Sequence, residues 1–409
     1  MSRKKPAPYK LPSAGRAFSP TSAEVEAHIL AVEKRHPKLV TVRQAGRSQE
    51  GRPVWAVTVN DPSVPGDDKQ HAMVVGGRHG NEESGRLIAL TLLDWLVGAG
   101  RRTLRKQTVV IMPNCNPDAC ERDIYKPLNG MQTCYDWGKK GEIPETRAFR
   151  ETAEPFVPDL FVDLHSKGGC GCSTDMVLYP STKSYTEDDN LFHELALEAC
   201  AAGERAGIPH MTHPLSWWDA DKPAGACHEC YQRFHCISML TETSESNKYS
   251  YPAADRAKAG LARLVAMLAW GERRHFGCYY AGYPCYIACG MFQSGVAALG
   301  RTAAQRRVSR LAIWRSVHAF KSCRAEIPEK WKEKRVVLEY AGKRIREGVG
   351  VQFTVRGHLK IVSIRLNGKR LKPSETEGYT TWRDGAATFV VAAIPDLKRG
   401  KHVVEARFG

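Results

Sequence analysis

The sequence predicts an α/β fold, a mixed and largely parallel sheet with helices on both faces, followed by a small C-terminal β-sandwich. Three observations carry that expectation. Short apolar, β-rich runs alternate with amphipathic stretches of helical length over about 250 residues, the pattern of a sheet with crossover helices. From about residue 335 the helical stretches stop, and short β-rich runs follow one another to the end, as in a sandwich. At 409 residues the chain is also too long for one ordinary core.

Taken in order, residues 1–20 read as a disordered tail, since Pro, Lys and Ser dominate "MSRKKPAPYKLPSAGRAFSP". Its basic start has no apolar segment behind it, so it does not read as a signal peptide. Residues 21–36 read as a helix with Val25, Ile29, Leu30 and Val32 as its apolar stripe and a capping box at Thr21 or Ser22. "LVTVRQAG" and "RPVWAVTVND" are β-rich runs around the turn "GRSQEG". "HAMVVGG" is a third strand, Ser84 to Val97 a helix, and "QTVVIMPN" a further strand. "PETRAFRETAEPF" reads as a helix and "PDLFVDLHS" as a buried strand. "DMVLYP", a helix over 188–206, "HCISMLTETS" and a helix over 253–273 continue the alternation.

These elements suggest a domain over 21–275. The aromatic and cysteine-rich run "CYYAGYPCYIACGMFQSG" and the basic "RTAAQRRVSRLAIW" suggest a packed connector over 276–334. Residues 335–409 hold "RVVLEY", "GVQFTV", "IVSIRLNGKRL", "ATFVVAAI" and "HVVEARF", and Asn367-Gly368 is a hairpin signal.

Composition narrows the class. Hydrophobic residues at 42% and charged residues at 25% are those of a globular protein. No apolar run approaches the roughly 18 residues that span a bilayer. The 13 cysteines are odd in number and scattered without a framework, so a reduced, cytoplasmic protein is expected. Cys227, His228, Cys230, His235 and Cys236 fall within "CHECYQRFHC", a possible second metal site. The spacing fits no standard zinc module, so buried thiols beside a pocket are the preferred reading. Charge is uneven: residues 301–409 hold 25 Lys and Arg against 10 Asp and Glu, while the rest is nearly neutral. A basic terminal module can meet an anionic polymer, and a solvated surface explains the same residues equally well.

The chemistry begins at "VVGGRHGNEESGR", where His79 and Glu82 follow a hydrophobic strand directly. Three residues apart, an imidazole and a carboxylate can share one metal. Alone the pair decides nothing, since about one His-x-x-Glu arises by chance in a chain with 14 His. Two further residues lift it. "DLFVDLHSKGG" ends a buried strand on His165, and "SMLTETSE" puts Glu242 near the end of another, where an unpartnered carboxylate is costly. In a parallel sheet such strand ends lie along one edge, which Asn116 shares. Two imidazoles and a carboxylate are the donor set of a catalytic zinc site, and a second carboxylate can act as base. The rival His-Glu-x-x-His pattern is absent.

Across residues 21–275 the sequence resembles the zinc carboxypeptidase (funnelin) family. The initial helix, "GRSQEGRPVWAVTV", "GGRHGNEESG", "MPNCNPDA", "DLFVDLHS" and "MLTETSE" occur in the family's order. The resemblance implies one zinc per chain on His79, Glu82 and His165, with Glu242 as general base and a peptide or amide as substrate. Departures stand beside it. "NPDA", which carries Asn116, replaces the usual Asn-Pro-Asp-Gly. Where the family has Asp-x-Asn-Arg, this chain has "GMQTCYDW": Gln132 stands for the Asp that orients a zinc-bound His. Cys134 and Tyr135 stand for the pair that clamps the substrate's terminal carboxylate. Arg147 or Arg150 just downstream is a possible replacement cation. Arg122 and Lys126 are candidates for the cation that stabilises the oxyanion, and Trp217, Trp218 and Tyr231 for the substrate-facing aromatics. Two other functions fit the same residues: a metal-dependent deacylase of small N-acylated compounds, and a binding protein that keeps the fold without turnover. The sequence sets no oligomeric state.

Overall fold

A computed structural model of the chain describes residues 20–126, 134–166, 175–181, 186–208, 215–219, 225–234, 236–244, 251–272, 275–277, 279–280, 283–284, 294–297, 320–346, 348–374, 377–384 and 386–409. Two compact units emerge. The first takes in most of the chain to Glu272; the second takes Arg273–Gly409 with the short pieces Ser184–Leu191 and Arg233–Cys236.

The first unit is built on an eight-stranded mixed sheet. Its strands are β1 (Val40–Arg47), β2 (Pro53–Val59), β3 (Gln70–Gly76), β4 (Gln107–Met112), β5 (Leu160–Ser166), β6 (Met176–Ser181), β7 (Leu215–Asp219) and β8 (Ile237–Thr243). Their order is β1-β2-β4-β3-β5-β8-β6-β7. β4, β3, β5 and β8 run parallel through its centre, while β1–β2, β2–β4 and β6–β8 pair antiparallel and the edge strand β7 runs parallel to β6. All residues of β4 and β5 are buried, as expected of strands covered on both faces. The helices are α1 (Ser22–Arg35), α2 (Glu83–Val97), α3 (Pro117–Arg122), α4 (Pro144–Phe156), α5 (Thr186–Arg205), α6 (Ala226–Phe234) and α7 (Ala253–Gly271). α2 packs on β3 and β5 and against α7, and α4 packs on β1 and β2. This is the predicted α/β class.

The α1 capping box is present: the Thr21 hydroxyl accepts from the Glu24 N–H, and the Glu24 carboxylate accepts from the Thr21 N–H at 2.9 Å. Its buried face differs from the expected stripe. Val25, His28, Ile29 and Val32 face inward, and Leu30 is 40% exposed. His28 completes the 3.6-residue repeat that Leu30 breaks, and its imidazole is satisfied by Asp94 at 3.0 Å. The short α3, α6 and β7 have no counterpart among the elements read from sequence. α3 carried a signal, an Asn cap at Asn116 followed by proline in the first turn.

Besides a two-stranded ribbon of 279–280 and 283–284, the described residues of the second unit form two larger antiparallel sheets, matching the expected small β-sandwich. One orders strands 294–297, 349–356, 387–394 and 379–384; the other orders 369–370, 361–366, 400–408, 333–340, 320–326 and 275–277. Asn367 and Gly368 form the expected two-residue hairpin turn, both with positive φ. Strands 294–297 and 320–326 fall inside the stretch read as a connector, and His275–Gly277 pairs with the latter. The basic run at 301–314 lies outside the described residues. Among the described residues no helix is long and apolar enough to cross a membrane.

Candidate functional site

The site forms at the carboxyl ends of β3, β5 and β8. These strands are parallel neighbours, and their register sets Leu164 beside Gly76 and Glu242 beside His165. Paired residues on adjacent strands project to the same face about 4.8 Å apart. The chain leaves β3 through Gly77 and Arg78, places His79, and enters α2 with Glu82 as its N-cap. Two glycines let this loop close. A Cβ on Gly85 would lie 2.5 Å from the Leu164 carbonyl oxygen, and one on Gly80 would lie 2.0 Å from the Ala119 carbonyl carbon. Arg86, buried in α2, donates to the Gly80 carbonyl at 2.8 Å and fixes the loop from below.

His79, Glu82 and His165 converge as predicted, with candidate ligand atoms all within 4.8 Å of one another. The Nδ1 atoms of His79 and His165 lie 3.2 Å apart. His79 Nδ1 is 2.7 Å from one Glu82 oxygen, and His165 Nδ1 is 2.9 Å from the other. Each residue is no more than 5% exposed. Donors bonded at about 2.0–2.1 Å to a tetrahedral ion stand about 3.3 Å apart, so this buried donor set fits one zinc. Asp163 lies behind His165, its carboxylate 3.1 Å from His165 Nε2. A proton held there leaves the Nδ1 lone pair facing Glu82 and His79. Arg78 closes the rear of the site with an ion pair to Asp163, both fully enclosed.

Protonation follows from these contacts. Burial disfavours the His165 cation, yet the Asp163 and Glu82 carboxylates outweigh it and raise its pKa well above the ordinary value. For Glu82 burial is likewise outweighed, by the two imidazoles, and its carboxyl falls to about 2. Burial lowers His79. Arg78 and His165 hold Asp163 ionised against its burial.

Glu242 is only partly buried, in contrast to the three convergent side chains. Its segment is braced from α7. Arg263, fully buried, donates to the Thr243 hydroxyl at 2.8 Å and pairs with Asp175, which accepts from the Ser244 N–H at 2.8 Å. Two turns earlier, Arg256 donates to the Ser84 hydroxyl at 2.7 Å, at the start of α2.

Other predicted residues are placed differently. Asn116 is wholly buried: its carbonyl caps α3 through the Ala119 N–H, and its amide donates to the Arg78 carbonyl. It builds the loop that carries His79. Arg122 pairs with Glu50 on the surface, its side chain 53% exposed. Lys126 is exposed. Tyr135 is half-buried, its ring 3.5 Å from where a Cβ on Gly225 would stand, and Arg78 lies 3.6 Å from the same point. Tyr231 belongs to the core, edge-on to Phe192 at 5.6 Å. Trp217 and Trp218 stand in β7, the edge strand separated from β8 by β6. Gln132 and His235 lie outside the described residues. Among those described, Cys227, His228, Cys230 and Cys236 assemble no second metal cluster. The three cysteines are buried and outside any disulfide.

Sequence reasoning missed Asp163, Arg78 and Tyr125. The Tyr125 ring lies over His79 with centroids 3.8 Å apart, and it is 43% exposed. Burial, with Glu82 and Glu242, raises its phenol. Asp163 was legible, two residues before His165 on a strand where alternate residues share a face.

Comparisons with known proteins agree with this architecture. A family model for zinc carboxypeptidases matches residues 25–140. Mouse carboxypeptidase M is 27% identical over 213 residues, covering 42% of this chain and 45% of that protein. Carboxypeptidase E of Caenorhabditis elegans is 28% identical over 109 residues, 24% of this chain and 23% of its own length. The chain thus spans less than half the length of these curated relatives. Among solved structures, a metallo-carboxypeptidase from Burkholderia cenocepacia superposes with a TM-score of 0.51 at 23% identity, covering 60% of this chain and 69% of that one. Carboxypeptidase A of Helicoverpa armigera gives 0.52 at 17% identity, covering 62% and 75%. The resemblance drawn from the motifs is borne out, and the fold is that of the zinc carboxypeptidases.

Proposed function

We propose that the protein is a zinc-dependent hydrolase that cleaves a peptide or amide bond. The observation that carries this reading is the convergence of His79, Glu82 and His165 with Glu242 registered beside His165. His79 and His165, through Nδ1, and the Glu82 carboxylate would hold one zinc per chain, and the metal would supply Lewis acidity toward the scissile carbonyl and the attacking water. Asp163 fixes the His165 tautomer, and Arg78 keeps Asp163 ionised. Glu242 takes a proton from the attacking water and returns it to the leaving amine. Its partial exposure lets it reach both.

The test pairs metal analysis with turnover on a mixed library of peptides and acyl-amino acids. The purified protein should carry about one equivalent of zinc and cleave members of one class. A His165→Ala protein with undiminished zinc would overturn the ligand set. Cleavage confined to acyl-amino acids would favour the deacylase reading, and bound zinc without turnover on any member would favour a binding protein.

A further inference from the structure

Amide cleavage passes negative charge onto the carbonyl oxygen, and a donor aimed at it is commonly worth more than any other single group. Neither cation expected there from sequence is built into the site. Arg122 is held at the surface by Glu50, and Lys126 is exposed. Arg78 is buried and paired with Asp163 behind His165.

Tyr125 is held differently. α3 ends at Arg122, and Asp123 turns the chain in the left-handed conformation with φ 49°. The Ile124 N–H then donates back to the Ala119 carbonyl at 3.1 Å, while the Ile124 carbonyl accepts from the Gly80 N–H at 3.0 Å and the Asn81 N–H at 3.2 Å. Residue 124 is thus tied to the loop that carries His79, on its exposed flank. α3 itself comes this close to the loop only because Gly80 lacks a Cβ, which would lie 2.0 Å from the Ala119 carbonyl carbon. The next residue lays its ring on the His79 imidazole, inclined by 32°. One side of the phenol covers a buried group of the site, and the remainder, with Glu242, keeps access to solvent. A phenol is an O–H donor at neutral pH.

We propose that Tyr125 is a catalytic residue whose hydroxyl donates a hydrogen bond to the scissile carbonyl oxygen as it becomes an oxyanion. The inference rests on the reading of the site as an amide hydrolase. The phenol keeps its proton throughout; the proton that moves travels by way of Glu242. The backbone ties of Ile124 hold the donor in place before substrate arrives, so little reorganisation is needed on binding.

The test is Tyr125→Phe, which keeps the ring on His79 and removes only the hydroxyl. With the best substrate of the library, kcat and kcat/KM should fall together by about 10²-fold, with zinc content and thermal transition unchanged. An active wild-type protein whose Tyr125→Phe form matches it in kcat would overturn the inference while leaving the hydrolase reading intact. A fall in zinc content that accounts for the lost activity would likewise overturn it and make Tyr125 a packing residue. A zinc-loaded wild-type protein that cleaves no member of the library would sink the hydrolase reading and this inference with it.

Discussion

The two units handle charge in opposite ways. In the first, Arg78, Asp163, His165, Glu82, Arg263 and Asp175 are all buried, and each meets an opposite charge or an imidazole. The second unit, rich in Lys and Arg, leaves most of its pairs at the surface, as in Arg344 with Asp396 and Arg407 with Glu333. Its buried Lys334 lies over the Trp331 ring, 5.0 Å from the centroid. Excess charge therefore says little about where chemistry happens. Burial does, because a charge taken from water must be matched, and the matching groups fix one another's position and protonation.

The sharpest way to break this contrast is at Glu242. Changing it to Gln keeps its size and removes the base. Turnover should fall by about 10²–10⁴-fold, some 3–5 kcal/mol in barrier, with zinc retained. Loss of zinc in step with activity would place Glu242 among the ligands.

Next in size is stability. Arg263→Met strands Asp175 in the core, and removing one partner of a buried pair costs about 3–5 kcal/mol. Arg344→Ala in the second unit removes an exposed pair and should leave the thermal transition unmoved, as surface ion pairs contribute little. Equal shifts from the two substitutions, read by denaturant unfolding, would erase the proposed difference between the units.

A third effect concerns pH. Metal binding by the proposed ligand set would require His165 to lose its proton, and its pKa is raised by Asp163 and Glu82 against the effect of burial. Below that pKa, each unit of falling pH should weaken apparent zinc affinity about tenfold; above it the curve flattens. Glu82, ionised above about 2, adds no slope near neutrality. Asp163→Asn should move the break to lower pH, because one of the two carboxylates that raise His165 is gone. A competition titration from about pH 5.5 to 8.5 reads the break, and an unmoved break would detach Asp163 from His165.

Much of this site was legible because its residues sit at strand ends. His79, His165 and Glu242 follow apolar runs that only a central sheet would bury, and a sheet brings such ends together. The failures share a cause. Asn116 and Tyr231 are residue types that bind ligands as readily as they satisfy a fold, and spacing along the chain does not reveal that one caps α3 and the other packs on Phe192. Tyr125 was invisible for the converse reason. Its place depends on a left-handed turn at Asp123 and on carbonyl contacts to Gly80 and Asn81, neither of which leaves a periodic trace. The strands 294–297 and 320–326 lie in a stretch whose aromatic and basic composition hid their alternation.

The smallest expected effect is discrimination between free and amidated C-termini. A terminal carboxylate is selected by a buried cation free to pair bidentately with it. Cys134 is wholly buried, with its N–H donated to the Thr146 hydroxyl at 2.8 Å, so its thiol faces the core. Tyr135 follows it, half-buried, and offers one hydrogen bond without charge. The nearby Arg78 is committed to Asp163. Of the downstream alternatives, Arg150 binds both Glu142 oxygens, at 2.9 and 3.0 Å, and Arg147 is 56% exposed. None of these described cations combines burial with freedom from an acidic partner. Matched substrates that differ only in a free or amidated terminus should therefore differ in kcat/KM by less than about tenfold, or 1.4 kcal/mol. A preference for the free acid beyond about 10³-fold, roughly 4 kcal/mol, would mean that an effective clamp exists, and a charge scan of Arg147 and Arg150 would then show which of them supplies it.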